Sequence, residues 1–290
     1  MMQIYKVIRA KAARTKIRDP WVWTWHFGLK PQDMFLASYP RSGSTWLRFI
    51  LYEVLCNEDA GFGNLDARLP EIHMHRGVKP ILPNGGRLIK THEQYREEYT
   101  RAVLLVRDIR DVFLSTYAGC VALGLAEIVS NGDRDSFLEA FLKRKALQMG
   151  SWQDHTRSWL ESPIARNGNL LVVHYEDLRK KPDENVARIL EFVGVTPNLQ
   201  RIRQAIEDNS LQQMRAKEEQ AKRAGERTEL LGKRTTVEEE SRFVRKGSVG
   251  GWRENLTDVQ VQLIEQYAGD QLLAAGYELS RAEEPLALAR

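Results

Sequence analysis

A loop of Arg41, Ser42, Gly43, Ser44 and Thr45 follows the first apolar run of the chain. Apolar residues recur at helical spacing after it, so a strand, a tight loop and a helix are predicted. Such a loop directs backbone N–H groups and the positive end of a helix dipole at one point, which favours an anion. Serine follows the glycine where the common triphosphate loop has lysine, so a phosphate site of another kind is predicted. An ordinary capped helix is the alternative, because serine and threonine also favour caps.

Lys90 and His92 end a second apolar run, which begins at Arg87. The run predicts a short strand, and the carboxyl ends of parallel strands face the ligand crevice of an α/β protein. We therefore expect both side chains to lie near the phosphate loop. A lone histidine is more often a surface residue without a role in chemistry, so the prediction depends on this neighbourhood.

Two further positions carry cations that could bind a second anion. Arg107 follows the apolar run 102–106, and Ser115 lies in the helix predicted after it. Near the carboxyl end, Arg245 and Lys246 precede Gly247. Cationic side chains beside a strand end or a glycine turn can bind a phosphate. Surface ion pairs and a charged turn are the alternatives.

The order of the predicted elements indicates an α/β protein. Apolar runs at 35–37, 87–91, 102–106 and 169–175 predict strands, and helical patterns over 136–160, 183–194, 199–214 and 257–275 predict helices. Residues 57–87, rich in glycine and proline, are expected to be irregular. This pattern predicts three layers, with a central, mostly parallel sheet flanked by helices and a P-loop-like phosphate-binding loop.

Composition suggests one large domain. The chain has 290 residues, of which 42% are hydrophobic. We expect a basic, aromatic arm over 1–30, a single α/β domain over 31–281 that includes a charged, mobile, lid-like segment over 215–243, and a frayed tail over 282–290. Two cysteines, no metal-ligand spacing and no apolar run long enough to span a bilayer favour a cytoplasmic protein without a metal. The arm either packs its aromatic rings on the domain or contacts the cytoplasmic face of a membrane.

Together these motifs resemble the cytosolic-type sulfotransferase domain of the family that uses 3′-phosphoadenosine 5′-phosphosulfate (PAPS). Residues 39–46 are similar to its 5′-phosphosulfate loop, 90–92 to its Lys-Thr-His motif, 106–112 with Ser115 to its 3′-phosphate element, 175–178 to its Tyr-Glu-Asp segment and 243–252 to its Arg-Lys-Gly element. Each match is weak alone, but five in the family's order make a chance agreement improbable.

The resemblance implies transfer of a sulfuryl group from PAPS to an acceptor hydroxyl or amine. The resemblance also implies that His92 is the general base and that Lys90 and Arg41 stabilise charge at the transferring group. The donor would be bound by Arg41, Ser42, Gly43, Ser44, Thr45, Trp46, Arg107, Ser115, Tyr175, Arg245, Lys246 and Gly247. The implied acceptor is a small molecule, a sugar or a lipid-linked alcohol; no metal and no nucleic acid is implied.

Three positions depart from the family's pattern. Arg41 stands where the animal enzymes commonly have lysine, and Leu211 stands where an aromatic ring helps to enclose adenine. The dimer motif that follows the tryptophan in the family appears here as Arg253, Thr257, Asp258 and Gln262, which puts that dimer in doubt. Two other functions stay open: a kinase that uses ATP, which would lack its usual loop lysine, and a non-catalytic nucleotide-binding protein, against which the Lys90–His92 pair argues.

Overall fold

The computed structural model describes residues 24–143, 150–226, 244, 245 and 247–280, and all structural statements below refer to these residues. Residues 1–23 of the predicted arm, Lys246 and the predicted tail lie outside them. No helix in the described ranges is both long enough and apolar enough to cross a membrane.

Four parallel strands form the central sheet. They are β1 (Met34–Ser38), β2 (Leu88–Thr91), β3 (Ala102–Val106) and β4 (Leu170–His174), in the spatial order β2-β1-β3-β4. Ala37 pairs with Thr91, and Ser38 pairs with Leu105. Because the strands run in the same direction, β2, β1 and β3 end at one edge of the sheet, and the segments that follow them lie close together.

Both faces of the sheet are buried, which explains the nearly continuous apolar runs in the sequence. Alternate residues point to opposite faces. Leu36, Val103 and Leu105 belong to one hydrophobic cluster, and Phe35 and Leu104 belong to the other. The predicted three-layer α/β architecture is confirmed.

Helices cover both faces of the sheet. In chain order they are α1 (Ser44–Cys56), a 3-10 turn (Leu65–Ala67), α2 (Ile109–Ala122), α3 (Leu125–Ser130), α4 (Arg134–Leu142), α5 (Trp152–Leu160), α6 (Pro163–Arg166), α7 (Tyr175–Lys180), α8 (Pro182–Phe192), α9 (Leu199–Asp208), α10 (Leu211–Arg223), α11 (Trp252–Asn255) and α12 (Asp258–Ala274). Helices α1, α8 and α9 pack on one face, and α2, α4, α5 and α12 pack on the other.

The single helix predicted over 199–214 is wrong, because the chain breaks between α9 and α10. The Asn209 side chain donates a hydrogen bond to the Ala205 carbonyl oxygen, 2.8 Å away. Ser210 then caps α10 by accepting a hydrogen bond from the backbone N–H of Gln213. Residues 215–223 lie in α10, where Glu218 is buried, and 227–243 lie outside the described residues, so the mobile lid stays a prediction.

A buried ion pair joins the start of β1 to the start of β2. The Asp33 carboxylate accepts hydrogen bonds from the Arg87 guanidinium at 2.5 and 3.0 Å and from two backbone N–H groups. Burial alone would raise the pKa of Asp33, but the bonds from Arg87 and the two amides outweigh burial and hold the pKa below its ordinary value. The pair therefore fixes the edge strand β2 to the centre of the sheet.

We expect Asp33→Asn to lower the free energy of unfolding at pH 7 by about 3–5 kcal/mol, because the substitution leaves the Arg87 charge buried without its partner. A group whose pKa is lowered by folding stabilises the protein above its unfolded pKa, and that stability is lost as pH falls through the folded value. The difference between wild type and variant in urea unfolding should therefore shrink below about pH 4. Exposed Asp270→Asn is the control; equal stability of Asp33→Asn and wild type would contradict the role of the pair.

Candidate active site

The phosphate loop joins β1 to α1 through two residues in the left-handed region. Arg41 has a φ of 70° and Gly43 a φ of 92°. A non-glycine residue in this region costs about 1–3 kcal/mol and is found mainly at binding sites. Ser42 is fully buried, and its Oγ has no hydrogen-bond partner among the described residues. The loop therefore carries backbone strain and an unpaired buried hydroxyl at the amino end of α1.

Gly43 lies against the ring of Tyr175, the first residue after β4. A Cβ at position 43 would lie 2.4 Å from the ring, so no other residue type fits without displacing it. The Tyr175 hydroxyl donates a hydrogen bond to the Gly247 carbonyl oxygen at 3.1 Å. Tyr175, which the family resemblance places among the donor-binding residues, thus connects the phosphate loop to the carboxyl-terminal segment.

Arg107 bridges the same two parts of the site. Its guanidinium donates hydrogen bonds to the backbone oxygens of Arg41 at 3.0 Å and Ser248 at 2.9 Å, and it lies over the Tyr175 ring, 4.5 Å from the centroid. Its buried Nε has no hydrogen-bond partner within the described part of the chain. One buried cation therefore lies between the phosphate loop and the segment that begins at 247.

Helix α2 contributes two further contacts to this arrangement. Ser115 Oγ accepts a hydrogen bond from Arg41 Nε at 3.1 Å. Asp111, to which the sequence pattern assigned no role, accepts hydrogen bonds from the backbone N–H groups of Gly250 at 2.7 Å and Trp252 at 3.0 Å. These bonds hold the carboxyl-terminal segment on α2.

His92 lies at the end of β1, beside the phosphate loop. Its Nδ1 is 2.6 Å from the Ser38 carbonyl oxygen, and since a carbonyl can only accept, Nδ1 carries the proton. Burial, and then the nearby charge of Lys90, lowers the pKa of His92 to about 3. At neutral pH the imidazole is therefore neutral, and its Nε2 has a lone pair and no hydrogen bond to any described residue.

Lys90 points away from solvent and is paired with Glu71. The distance from Lys90 Nζ to Glu71 Oε1 is 2.6 Å. Burial alone would raise the pKa of Glu71, but the charges of Lys90 and Arg48 more than offset burial and lower it to about 2. The sequence offered no signal for this carboxylate, which lies in the irregular segment before β2.

The other predicted residues lie at the borders of this arrangement. Ser44 and Thr45 form the first turn of α1. The Trp46 indole donates a hydrogen bond to the Asn209 carbonyl oxygen at 2.8 Å. The Arg245 carbonyl oxygen accepts one from the Arg215 guanidinium at 3.0 Å. The structure thus connects Arg41, Gly43, Arg107, Ser115, Tyr175 and Gly247 by direct contacts, with Lys90 and His92 on the next strand.

Comparison with known proteins assigns this arrangement to a family. A family model described as "Sulfotransferase domain" matches residues 31–276. Sulfotransferase 1E1 of Mus musculus is 24% identical over 266 residues, 85% of each chain. Sulfotransferase 2A1 of Mus musculus is 27% identical over 252 residues, which are 83% of this chain and 84% of the relative.

Solved structures of similar proteins have the same fold. Retinol dehydratase in a complex with retinol and PAP (the desulfated nucleotide) superposes with a TM-score of 0.68 at 19% identity, covering 90% of this chain and 88% of that chain. Mouse sulfotransferase SULT7A1 complexed with PAP gives a TM-score of 0.59 at 21% identity, covering 87% and 88%. Because the family model spans most of the chain and the curated relatives are sulfotransferases, the chain belongs to the sulfotransferase family, and its reaction is the transfer of a sulfuryl group to an acceptor.

Proposed function

We propose that the chain transfers the sulfuryl group of PAPS to a small-molecule hydroxyl, with His92 as the general base. The observation that carries this proposal is the geometry of His92. Its Nδ1 donates its proton to the Ser38 carbonyl oxygen, 2.6 Å away, so Nε2 carries the lone pair. No residue that the structure describes bonds to Nε2, which lies at the end of the strand that leads into the phosphate loop. A neutral imidazole in this tautomer can accept the proton of an attacking hydroxyl.

The phosphate loop fits the anionic 5′ end of PAPS. The buried hydroxyl of Ser42 has no hydrogen-bond partner among the described residues, so it can donate a hydrogen bond to a phosphate oxygen. Gly43 and Arg41, both at positive φ, turn the chain so that successive backbone N–H groups, which continue through Ser44 and Thr45, converge in an anion-binding nest. The Arg41 guanidinium adds charge to the same place.

The second anion-binding position fits the 3′-phosphate. Arg107 is buried, and its Nε is unpaired, so an anion there would gain charge-assisted hydrogen bonds. Ser115 lies beside Arg41 at 3.1 Å, and Gly247 lies beside Tyr175 at 3.1 Å. We assign these residues, with Arg245 and the predicted Lys246, to this phosphate, and we assign Trp46 and Tyr175 to the adenine side.

The proposed reaction is an in-line displacement at sulfur. His92 takes the acceptor proton while the acceptor oxygen bonds to sulfur and the bond from sulfur to the bridging phosphate oxygen breaks, leaving PAP. Lys90 and Arg41 stabilise the charge that develops on the bridging oxygen and the sulfuryl oxygens. Electrostatic stabilisation and positioning of this kind are the main contributions of a protein to phosphoryl transfer, whose chemistry is similar.

The acceptor proposal draws on the structural neighbours. Retinol dehydratase is known in complexes with retinol and with androsterone, both small molecules. We therefore propose a small apolar alcohol as the acceptor of this chain. A cytoplasmic location, and a membrane contact through residues 1–30, stay predictions.

The test of the proposed function uses two ligands and one transfer assay. PAP should raise the melting temperature of the protein by mass action, whereas ATP with Mg²⁺ should not. Incubation with sulfur-labelled PAPS and a panel of phenols, sterols, retinoids, amines and sugars should label at least one acceptor. Stabilisation by ATP–Mg²⁺ alone would favour a kinase, and binding of PAP without transfer to any acceptor would favour a non-catalytic nucleotide-binding protein.

Removing the proposed base should separate chemistry from binding. We expect His92→Ala to lower kcat by about a hundredfold or more, because an alanine side chain cannot accept the proton of the attacking hydroxyl. The dissociation constant of PAP should change little. His174→Gln, which alters another histidine at the same edge of the sheet, is the matched control and should keep wild-type turnover. Wild-type kcat in His92→Ala would refute the assignment.

A substitution in the phosphate loop should distinguish a loss of PAP binding from a loss of stability caused by backbone strain. In Gly43→Ala, the new Cβ would meet the Tyr175 ring at 2.4 Å, so we expect PAP binding, measured by calorimetry, to weaken by about tenfold or more. Gly194→Ala is the control, because its φ of +84° is similar and nothing lies within 4 Å of the new Cβ. Both variants should lose some stability, but the control should bind PAP as wild type does. Equal affinities would show that the close contact is not needed for binding.

A further inference from the structure

The segment before β2 holds Glu71 in line with Lys90 through the backbone. The Ile72 N–H donates a hydrogen bond to the Lys90 carbonyl oxygen, and the Lys90 N–H donates one to the Pro70 carbonyl oxygen, both at 2.8 Å. Glu71 and Lys90 therefore form a parallel β-bridge. This pairing aligns the two side chains before any ion pair forms, so their contact is part of the fold.

The Glu71 carboxylate is itself fixed by Arg48 of helix α1. Lys90 Nζ lies 2.6 Å from Glu71 Oε1, and Arg48 Nη1 lies 3.5 Å from the same oxygen. Arg48 is 1% exposed and also contacts Asp66 at 2.5 Å. A half-buried carboxylate held by two buried cations has little freedom to move, so it restrains the lysine that it binds.

The ammonium group of Lys90 is only partly used by this contact. It has three N–H donors, and its one hydrogen bond to a described residue is the bond to Glu71. Two donors therefore remain for an anion. Lysine has four rotatable carbon–carbon bonds, and without a restraint its ammonium group would sample many positions.

We propose that Glu71 is the positioning residue for Lys90: it holds the ammonium group at the carboxyl end of β2 with two N–H donors directed to the transferring sulfuryl group. The proposal rests on the proposed function, because that function supplies the sulfuryl group of PAPS that Lys90 would contact. Glu71 contacts neither PAPS nor the acceptor and acts only through Lys90.

The charges around Lys90 make the restraint measurable. Burial lowers the pKa of Lys90, Glu71 raises it, and Arg48 lowers it again, while Asp66 raises it. His92, two residues further along the chain, adds no charge at pH 7, because burial and the charge of Lys90 lower its pKa to about 3. A neutral side chain at position 71 would leave burial and Arg48 unopposed except by Asp66. The ammonium group would then lose its proton at a lower pH than in the wild type.

The experiment compares Glu71→Gln with Glu71→Asp and with Glu53→Gln. Glu53 is also buried and pairs with a lysine, Lys217, at 2.8 Å, but that pair lies outside the site, so its loss tests the effect of breaking a buried ion pair. For each protein the readouts are kcat between pH 5.5 and 9, PAP affinity by calorimetry, and the titration of Lys90 by NMR of protein labelled at the lysine Cε, assigned with Lys90→Arg.

We expect Glu71→Gln to lower kcat at pH 7 by about tenfold, and to move the alkaline limb of the pH profile and the NMR titration of Lys90 down by about one pH unit or more. PAP affinity should stay within about twofold of wild type, because PAP lacks the sulfuryl group. For Glu71→Asp, kcat and the Lys90 titration should lie between those of wild type and of Glu71→Gln. Glu53→Gln should keep the wild-type pH profile.

Two outcomes would overturn the proposal. One is an unchanged Lys90 titration in Glu71→Gln, whatever the activity. The other is a loss of kcat that is equal at all pH values and accompanied by weaker PAP binding, which would indicate a structural role. An inactive wild-type protein whose Lys90 titration still shifts in Glu71→Gln would instead refute the proposed function and leave the control of Lys90 by Glu71 standing.

Discussion

The parallel direction of β2, β1 and β3 is the constraint on which the site depends. It brings three chain segments to one edge of the sheet: the end of β2 with Lys90 and the following His92, the phosphate loop after β1, and Arg107 after β3. The hydrogen bond from His92 to the last residue of β1, at 2.6 Å, can form because β1 and β2 are neighbours. The buried Asp33–Arg87 pair supports this geometry from the opposite end of the same two strands, so strand alignment and the position of the base are coupled.

The cations at this edge are each held by a partner of the protein itself. Arg41 contacts Ser115, Arg107 contacts two backbone oxygens and lies 4.0 Å from Asp111, and Lys90 contacts Glu71. Burying an unpaired charge costs several kcal/mol, so these partners make the cations compatible with a folded protein before a ligand binds. Among the described residues, Lys90 makes one hydrogen bond with its three N–H donors, and Arg107 Nε has no partner. The site can therefore be ordered before an anion binds and still attract it. Preorganised donors of this kind stabilise developing charge without a reorganisation cost.

The phosphate loop adds a different kind of preorganisation. Arg41 adopts a left-handed conformation that arginine rarely takes, and Gly43 fits against the Tyr175 ring because it has no side chain. The energy stored in this loop must be compensated by the packing of α1 and β1, which are among the most buried elements of the structure. Tyr175 and Arg107 connect this loop to the carboxyl-terminal segment through hydrogen bonds to the carbonyl oxygens of Gly247 and Ser248. The two anion-binding positions are thus parts of one connected structure.

The strands, the α/β class and the motifs that carry the chemistry could be predicted from the sequence, because they depend on local apolar patterns and on residues close together in the chain. Which of those residues meet depends on the packing of the whole fold. The bond from Arg107 to Ser248 joins residues 141 positions apart, and no local pattern marks Glu71 as the partner of Lys90. The break between α9 and α10 was missed for a related reason: the apolar pattern continues across Asn209 and Ser210, and only their hydrogen bonds end one helix and begin the next. Contacts between distant residues depend on the packing of whole layers, which a pattern read along the chain does not contain.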